Sequence, residues 1–185
     1  MKIEATPLKD CFILHDTVHG DARGYFFESY HQKQFVDSTG LQINFVQDNQ
    51  SRSQKGVLRG LHMQSGEAAQ SKLVRVLEGA VLDVAVDLRK NSPSFGQHYS
   101  IELTADNHKQ FFVPKGFAHG FVVLSEAATF FYKCDEFYNP SKEVGIRYND
   151  VDLNIDWKIP TNELLLSAKD KVLQSFSEYS KSIGT

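Results

Sequence analysis

The fold class is decided by the stretch LVRVLEGAVLDVAVDL, residues 73–88. Aliphatic and β-branched side chains fill two short runs on either side of Glu78 and Gly79, which is typical of strands joined by a tight turn. Pro93 follows shortly afterwards, and proline stops a strand because it has no N–H to donate. The segment therefore predicts two β-strands rather than a helix.

Short runs of the same kind continue on both sides of this stretch. They alternate polar with apolar residues, or are continuously apolar, and turn residues separate them. The predicted strands are residues 42–50, 56–63, 73–77, 80–88, 100–103, 117–124 and 129–134. The 14 Phe and 7 Tyr supply the aromatic bulk that is common in sheets. Many short strands between turns predict an all-β sandwich or barrel.

Helical periodicity is confined to residues 30–36 and to the C-terminal part of the chain. Residues 167–170 have the Ser-x-x-Asp spacing of a capping box, which bonds the free N–H groups of a first helical turn. Val172, Phe176 and Tyr179 then recur at helical spacing. We expect short helices, mainly C-terminal, that pack onto the sheets.

Length and composition set the general class of protein. A chain of 185 residues without a repeat or linker predicts one domain over residues 1–185. The net charge of −3 does not favour nucleic acid, and no apolar run reaches the roughly 20 residues of a membrane span. The first ten residues contain no apolar export segment, and Cys11 and Cys134 are the only cysteines. We therefore expect a cytoplasmic protein with no nucleic-acid or membrane partner.

Arg59 and His62 are the first residues in the chain that suggest chemistry. They would lie on opposite faces of a regular strand, but Gly60 permits a bulge that turns both side chains toward one cavity. The alternative is a solvated arginine and a buried histidine. The sequence has no phosphate-binding glycine loop, no Gly-x-Ser-x-Gly elbow and no Cys-x-x-Cys pair, so these larger enzyme classes are not indicated.

The spacing Pro114-x-Gly116-x-x-His119 resembles the second of two motifs that mark cupin jelly rolls. The first motif in metal-dependent cupins supplies His-x-His, whereas this chain has His62-Met63-Gln64. A catalytic metal ion needs about three protein ligands and one open position. His62, His119 and one carboxylate could in principle supply these ligands, but we expect a metal-free cavity with ionisable walls.

Seven segments together make the resemblance specific to one family. They are residues 23–28, 47–51, 58–64, 70–74, 83–89, 114–121 and 166–170. In order and spacing these segments are similar to those of the dTDP-4-dehydrorhamnose 3,5-epimerases, over roughly residues 5–172. The resemblance implies a cupin-type jelly roll, usually a homodimer, that uses no cofactor. It also implies inversion of C3 and C5 of a dTDP-4-keto-6-deoxyglucose on the route to dTDP-L-rhamnose.

The implied reaction needs a base, an oxyanion stabiliser and an acid. C3 and C5 both flank the C4 ketone, so each proton can leave if the enolate is stabilised and a proton returns on the opposite face. The resemblance implies that His62 is the base and that Asp170 is its partner. It implies that Lys72 faces the C4 oxygen and that Tyr132 is the acid.

The resemblance also implies which residues bind the nucleotide and the sugar. Aromatic rings suit a flat base, and arginines suit phosphates. The implied positions are Phe26 and Tyr138 for thymine, Arg23 and Arg59 for the diphosphate, Glu28, Gln47 and Asn49 for hydrogen bonds, and His119, Glu143 and Lys169 for further contacts. The segment around Arg23 is implied to cross a dimer interface, so that two chains share each site.

Three other functions remain open from the sequence. A single-site 3- or 5-epimerase would exchange one carbon-bound proton rather than two. A metal-dependent cupin oxygenase would need bound iron or a similar ion. A silent nucleotide-sugar-binding protein would have no use for the acid–base set of His62, Tyr132, Lys72 and Asp170.

Overall fold

Antiparallel strands make up most of the regular structure. The structure, a computed structural model, describes residues 1–184. The strands are β1 Lys2–Ala5, β2 Phe12–His15, β3 His19–Asp21, β4 Gly24–Phe26, β5 Gln47–Gln54, β6 Leu58–Gln64, β7 Lys72–Glu78, β8 Ala80–Asp87, β9 His98–Thr104, β10 Lys109–Val113, β11 Phe117–Val123, β12 Ala127–Cys134 and β13 Glu143–Gly145. The helices are α1 Gln32–Thr39 and α2 Phe176–Ser182, with 3₁₀ turns at Gly66–Ala68, Pro140–Lys142, Thr161–Glu163 and Asp170–Val172.

Two antiparallel sheets form the body of the molecule. The six-stranded sheet has the order β1-β2-β10-β7-β12-β5, and the five-stranded sheet has the order β13-β6-β11-β8-β9. Strands β3 and β4 pair only with each other, as a separate hairpin. This arrangement confirms the predicted all-β jelly roll with short helices.

The chain changes sheet at the turn in the stretch that decides the fold. Strands β7 and β8 follow one another, yet they belong to different sheets, and β11 and β12 do the same. Gly79 makes the first of these turns with φ of 78°, and a Cβ there would lie 2.0 Å from the Ala127 carbonyl oxygen. Only glycine fits such a position. The turn therefore places two consecutive strands in the two facing sheets.

Apolar side chains fill the space between the sheets and cover both outer faces. Val74 and Phe130 from one sheet meet Val81 and Val123 from the other in the inner core. The outer face of the five-stranded sheet packs against the C-terminal segment, and α1 packs against the outer face of the six-stranded sheet. Strand β8 is consequently buried on both faces, which explains its nearly continuous apolar sequence.

The predicted strand over residues 42–50 starts later than expected. Strand β5 begins at Gln47, and residues 42–46 lie outside the strand. Ile43 and Phe45 instead pack beside Phe35 of α1 in the outer cluster. The apolar side chains of this segment therefore cover a helix rather than one face of a sheet. Helix α1 itself overlaps the predicted residues 30–36.

The predicted helix start at residues 167–170 is wrong. A single 3₁₀ turn follows Ser167, and Val172 in that turn is 81% exposed. Helix α2 begins at Phe176, and its capping box is formed by Ser175 and Glu178. Phe176 and Tyr179 do pack onto the five-stranded sheet. The Ser167 hydroxyl accepts from the Asp170 backbone N–H at 3.1 Å and donates to the Asp170 carboxylate at 2.8 Å.

Cys11 and Cys134 are buried free thiols. Within residues 1–184, no helix is both long enough and apolar enough to cross a membrane.

Candidate active site

A cavity of about 680 Å³ lies between the two sheets. Its walls come from β5, β7 and β12 on one side and from β6 and β11 on the other, with the loops after β12 and before α2 at its mouth. Most of the predicted site residues line it. They are Asn49, Arg59, His62, Lys72, His119, Tyr132, Tyr138, Glu143, Lys169 and Asp170.

A bulge in β6 brings Arg59 and His62 to the same cavity. His62 is opposite His119 of β11 and Arg59 is opposite Phe121, so β6 has one residue more than β11 over this interval. Gly60 makes this possible, because a Cβ there would lie 2.6 Å from the Cα of Gly120. The predicted bulge is therefore present, and both side chains face inward.

His62 is held by a carboxylate through one ring nitrogen. Its Nε2 lies 2.5 Å from Asp170 Oδ1, and the Ser167 hydroxyl donates to Asp170 Oδ2 at 2.8 Å. Burial raises the pKa of Asp170, but the hydrogen bonds from His62 and Ser167 outweigh it, so the pKa lies below its ordinary value. An ionised carboxylate only accepts hydrogen bonds, so Nε2 carries the hydrogen. Nδ1 is then the nitrogen with a free lone pair in the neutral ring.

His119 has a similar partner in the interior. Its Nε2–H donates to Asp83 at 2.9 Å and 3.0 Å to the two carboxylate oxygens, and Asp83 is fully buried on β8. Asp83 was not among the residues predicted for the site. The available signal was an acidic residue inside the otherwise apolar run of residues 80–86, since a buried charge needs a partner. Among residues 1–184, no three His, Cys, Asp or Glu side chains are grouped so that they could hold a metal ion.

Tyr132 and Lys72 lie on the opposite wall from His62. They belong to the neighbouring strands β12 and β7, and the Lys72 Nζ is 5.9 Å from the centre of the Tyr132 ring. Burial raises the pKa of Tyr132, so this phenol keeps its proton at neutral pH. Burial also lowers the pKa of Lys72. Burial thus leaves Lys72 poorly solvated at the wall of the cavity, although Asp83 and Glu143 lie near enough to favour its charged form.

Glu143 connects His62 to the mouth of the cavity. Its Oε1 lies 3.9 Å from His62 Nδ1 and pairs with the Lys169 ammonium, and its Oε2 accepts from the Tyr138 hydroxyl at 2.6 Å. Burial raises the pKa of Glu143, but the bonds from Lys169 and Tyr138 outweigh this effect and lower it. The same hydrogen bond raises the pKa of Tyr138. These residues form a charged network at the entrance.

Two further predicted residues lie beside this network. The Gln47 side chain accepts from the Tyr138 backbone N–H at 3.2 Å and donates to Asn49 at 2.9 Å. Gln47 does not line the cavity itself, but it supports Tyr138 and Asn49, which do. Arg59 donates to the Ser53 hydroxyl from two nitrogens, each at 3.2 Å.

Three predicted binding residues lie away from the cavity. Arg23 pairs with Asp21 in the exposed turn between β3 and β4, and Phe26 at the end of β4 is 68% exposed. Glu28 accepts from Gln34 of α1 at 2.9 Å. Within a single chain, these side chains do not meet Tyr138 or the other cavity residues.

The fold and the site together define a cupin-like jelly roll with acid–base side chains in its interior. Residues 5–178 match the model of the family described as dTDP-4-dehydrorhamnose 3,5-epimerase. The dTDP-4-dehydrorhamnose 3,5-epimerase of Escherichia coli K12 is 51% identical over 178 residues, which cover 96% of each chain. The chain therefore belongs to the dTDP-4-dehydrorhamnose 3,5-epimerase family.

Solved structures agree with this assignment. The dTDP-4-dehydrorhamnose 3,5-epimerase of Elizabethkingia anophelis is 58% identical, with a TM-score of 0.94 and coverage of 96% of this chain and 97% of that one. A dTDP-6-deoxy-D-glucose-3,5-epimerase of Legionella pneumophila, solved with dTDP-4-keto-L-rhamnose, is 48% identical. Its TM-score is 0.91, and the match covers 95% of this chain and 93% of that one.

Proposed function

We propose that the chain inverts C3 and C5 of dTDP-4-dehydro-6-deoxy-D-glucose and so forms dTDP-4-dehydro-L-rhamnose. Family membership supports the substrate and the reaction. The observation that carries the mechanism is the His62–Asp170 pair on one wall of the cavity, with Tyr132 on the other. Every proton transfer in the proposal uses a side chain of the protein itself.

His62 acts as the base through Nδ1. This nitrogen takes the proton from C3 or C5, and the electrons of the C–H bond move toward the C4 oxygen. The imidazolium that forms keeps its Nε2–H bond to Asp170, whose negative charge stabilises it. General acid–base catalysis of this kind is typically worth about 10²–10⁴ in rate.

Lys72 stabilises the oxygen of the enolate. Negative charge develops on the C4 oxygen as the enolate forms, and a nearby cation stabilises that charge most where water is excluded. Lys72 is buried in this way. A cation at this position favours the enolate more than the ketone, which is the requirement for lowering the barrier. Removal of a comparable oxyanion donor costs about 10²–10³ in rate.

Tyr132 returns a proton to the other face of the sugar ring. Base and acid on facing walls can act on opposite faces of one carbon, and this is the geometry that an inversion requires. The raised pKa of Tyr132 keeps the phenol protonated until the enolate is present. A phenol is a stronger acid than the α-carbon of a ketone. Transfer of the phenol proton to the enolate carbon is therefore favourable.

The nucleotide occupies the mouth of the cavity in this proposal. Arg59 binds the diphosphate, Tyr138 stacks on thymine, and Asn49, Glu143 and Lys169 supply polar contacts. The remaining contacts of Arg23, Phe26 and Glu28 come from a second copy of the chain, so the working unit is a homodimer that shares its sites. The exposure of Phe26 on a projecting hairpin supports this arrangement.

The test is the count of deuterium atoms incorporated in D₂O. With wild-type protein and dTDP-4-dehydro-6-deoxy-D-glucose, mass spectrometry is expected to find two carbon-bound deuterons, at C3 and C5. His62→Asn should abolish both exchanges while still binding dTDP. Tyr132→Phe should permit some wash-in of deuterium but give little L-configured product.

Several outcomes would contradict the proposal. One deuteron in wild-type product would indicate a single-site epimerase, and exchange at the wild-type rate in His62→Asn would remove His62 as the base. A normal yield of L-configured product from Tyr132→Phe would remove the tyrosine as the acid.

A further inference from the structure

We infer that Glu143 is a proton relay that discharges His62 between the two epimerisations. This inference rests on the proposed function, because only an enzyme that inverts two carbons must use the same base twice on one substrate. The relay is distinct from a contact to the nucleotide or sugar, since Glu143 acts here through the His62 ring.

The need for a relay follows from the proton balance. After the first inversion, His62 Nδ1 holds the proton that left the sugar, and Tyr132 has given its own proton to carbon. The second abstraction cannot begin until Nδ1 is free and the phenol is restored. Either the intermediate leaves the cavity at this point, or the enzyme exchanges both protons with solvent while the sugar stays bound.

The Asp170 side of His62 offers no exit for the proton. The Asp170 side chain is only 4% exposed, and its second oxygen is already occupied by the Ser167 hydroxyl. Its bond to Nε2 holds a hydrogen that never takes part in the abstraction. The proton on Nδ1 must therefore leave from the other edge of the ring.

Glu143 lies at that other edge. Among residues 1–184, it is the one carboxylate besides Asp170 within ion-pair distance of His62, with Oε1 3.9 Å from Nδ1. This distance exceeds a direct hydrogen bond of about 2.7–3.2 Å. One bridging water or a small rotation of the ring spans the gap.

Glu143 is linked to the solvent through its two partners, while its own side chain is only 12% exposed. Tyr138 and Lys169, which hold its two oxygens, are both more than half exposed at the mouth of the cavity. The hydrogen bonds from these residues lower the pKa of Glu143, so a protonated Glu143 gives its proton to water quickly. The carboxyl group is therefore suited to carry a proton outward rather than to store it.

Each step of the relay balances in atoms and charge. The N–H bond at His62 Nδ1 breaks while an O–H bond forms on Glu143, which leaves a neutral ring and a neutral carboxyl group. Glu143 then loses the proton to water and becomes a carboxylate again. A proton from cavity water restores the Tyr132 phenol, so the enzyme regains its starting state without any oxidant or reductant.

The test measures the partition between singly and doubly inverted product. With Glu143→Gln in D₂O, we expect sugar inverted and deuterated at one carbon to accumulate, and its ratio to the doubly inverted product to rise at least about tenfold over wild type. Added imidazole or acetate should restore the second inversion in proportion to its concentration, because a small base replaces the missing carboxylate. Glu143→Asp keeps the acid function and should show a smaller rise.

Glu67→Gln is the matched control. It makes the same carboxyl-to-amide change on an exposed side chain that does not line the cavity, so the product ratio should stay at the wild-type value. Parallel loss of both inversions in Glu143→Gln, without rescue by imidazole or acetate, would show a binding role and overturn the relay. Wild-type protein that exchanges neither carbon would overturn the proposed function first, whereas an unchanged ratio in Glu143→Gln would overturn the relay alone.

Discussion

His62 and His119 stand opposite each other on neighbouring strands, and each faces a carboxylate through Nε2. Their surroundings differ in a way that separates their roles. The His119 side chain is 7% exposed and Asp83 is fully buried, whereas the His62 side chain is 27% exposed. Both rings line the cavity, but His62 is the more exposed of the two, so we propose His62 as the base and His119 as a hydrogen-bonding contact to the sugar.

Asp170→Asn tests how much the reaction depends on the tautomer of His62. An amide does not enforce the Nε2–H form and does not stabilise an imidazolium, so kcat is expected to fall about 10²–10⁴-fold. KM should change little because Asp170 lies away from the proposed nucleotide end. Steady-state kinetics check this, and Ser167→Ala, which keeps the carboxylate, should cause a smaller loss. An undiminished kcat in Asp170→Asn would contradict the role of the pair.

The same substitution should also alter stability at neutral pH. Folding lowers the pKa of Asp170, so the pair stabilises the folded state above the ordinary Asp pKa of about 3.9 and loses that contribution as the pH falls through the folded value. The asparagine variant lacks this contribution, and its free energy of unfolding should depend less on pH in the acid range.

The individual strands follow from local patterns, but their pairing does not. Residues 73–88 predict two strands correctly because the apolar runs and Gly79 are local signals. That the two strands belong to different sheets depends on contacts with β12 and β11, which are distant in sequence. Residues 42–46 were predicted as strand because polar and apolar residues alternate there, yet Ile43 and Phe45 pack beside α1 instead.

Gly60→Ala tests the bulge in β6. A Cβ would lie 2.6 Å from Gly120 Cα and 2.8 Å from the His119 carbonyl oxygen, at a φ of 124° that side chains rarely adopt. The variant should lose more than about 2 kcal/mol of unfolding free energy, and most of its activity, because Arg59 and His62 would no longer share one wall. Thermal and denaturant unfolding measure the change.

Gly24→Ala is the control for backbone strain alone. Gly24 has a similar φ of 132°, but no atom lies within 4 Å of its added Cβ. Its loss of stability should be clearly smaller than that of Gly60→Ala. Equal losses would show that the dihedral angle, and not the close approach of β6 and β11, accounts for the effect.

At the scale of the whole molecule, the cavity is lined by residues that lie far apart in the sequence, so no single motif predicts all of them. The resemblance predicted ten of the residues that line it, and the structure brings these together from both sheets and from the loops beside them. Asp83 was missed because no local pattern links it to His119, which lies 36 positions away in the chain. In the proposed dimer, Arg23, Phe26 and Glu28 contact the nucleotide in the site of the second copy. Their position within one chain therefore does not show this role.

A mixing experiment tests whether two copies share each site. His62→Asn and Phe26→Ala chains should each be nearly inactive alone, but a heterodimer of the two would contain one site with His62 and an intact hairpin. After random exchange of subunits, activity is expected to recover to about a quarter of the wild-type value per chain. Size-exclusion chromatography of the mixture checks that dimers are present, and no recovery would contradict sharing.

The burial of both cysteines determines how the folded protein reacts with oxidants and alkylating agents. Burial raises the pKa of Cys134 to about 11, and it raises the pKa of Cys11 further. Since the thiolate is the form that reacts, neither sulfur is a competent nucleophile at neutral pH. Oxidants and alkylating agents are therefore expected to leave both thiols of the folded chain unmodified, so the strand that carries Tyr132 needs no reductant to keep its shape.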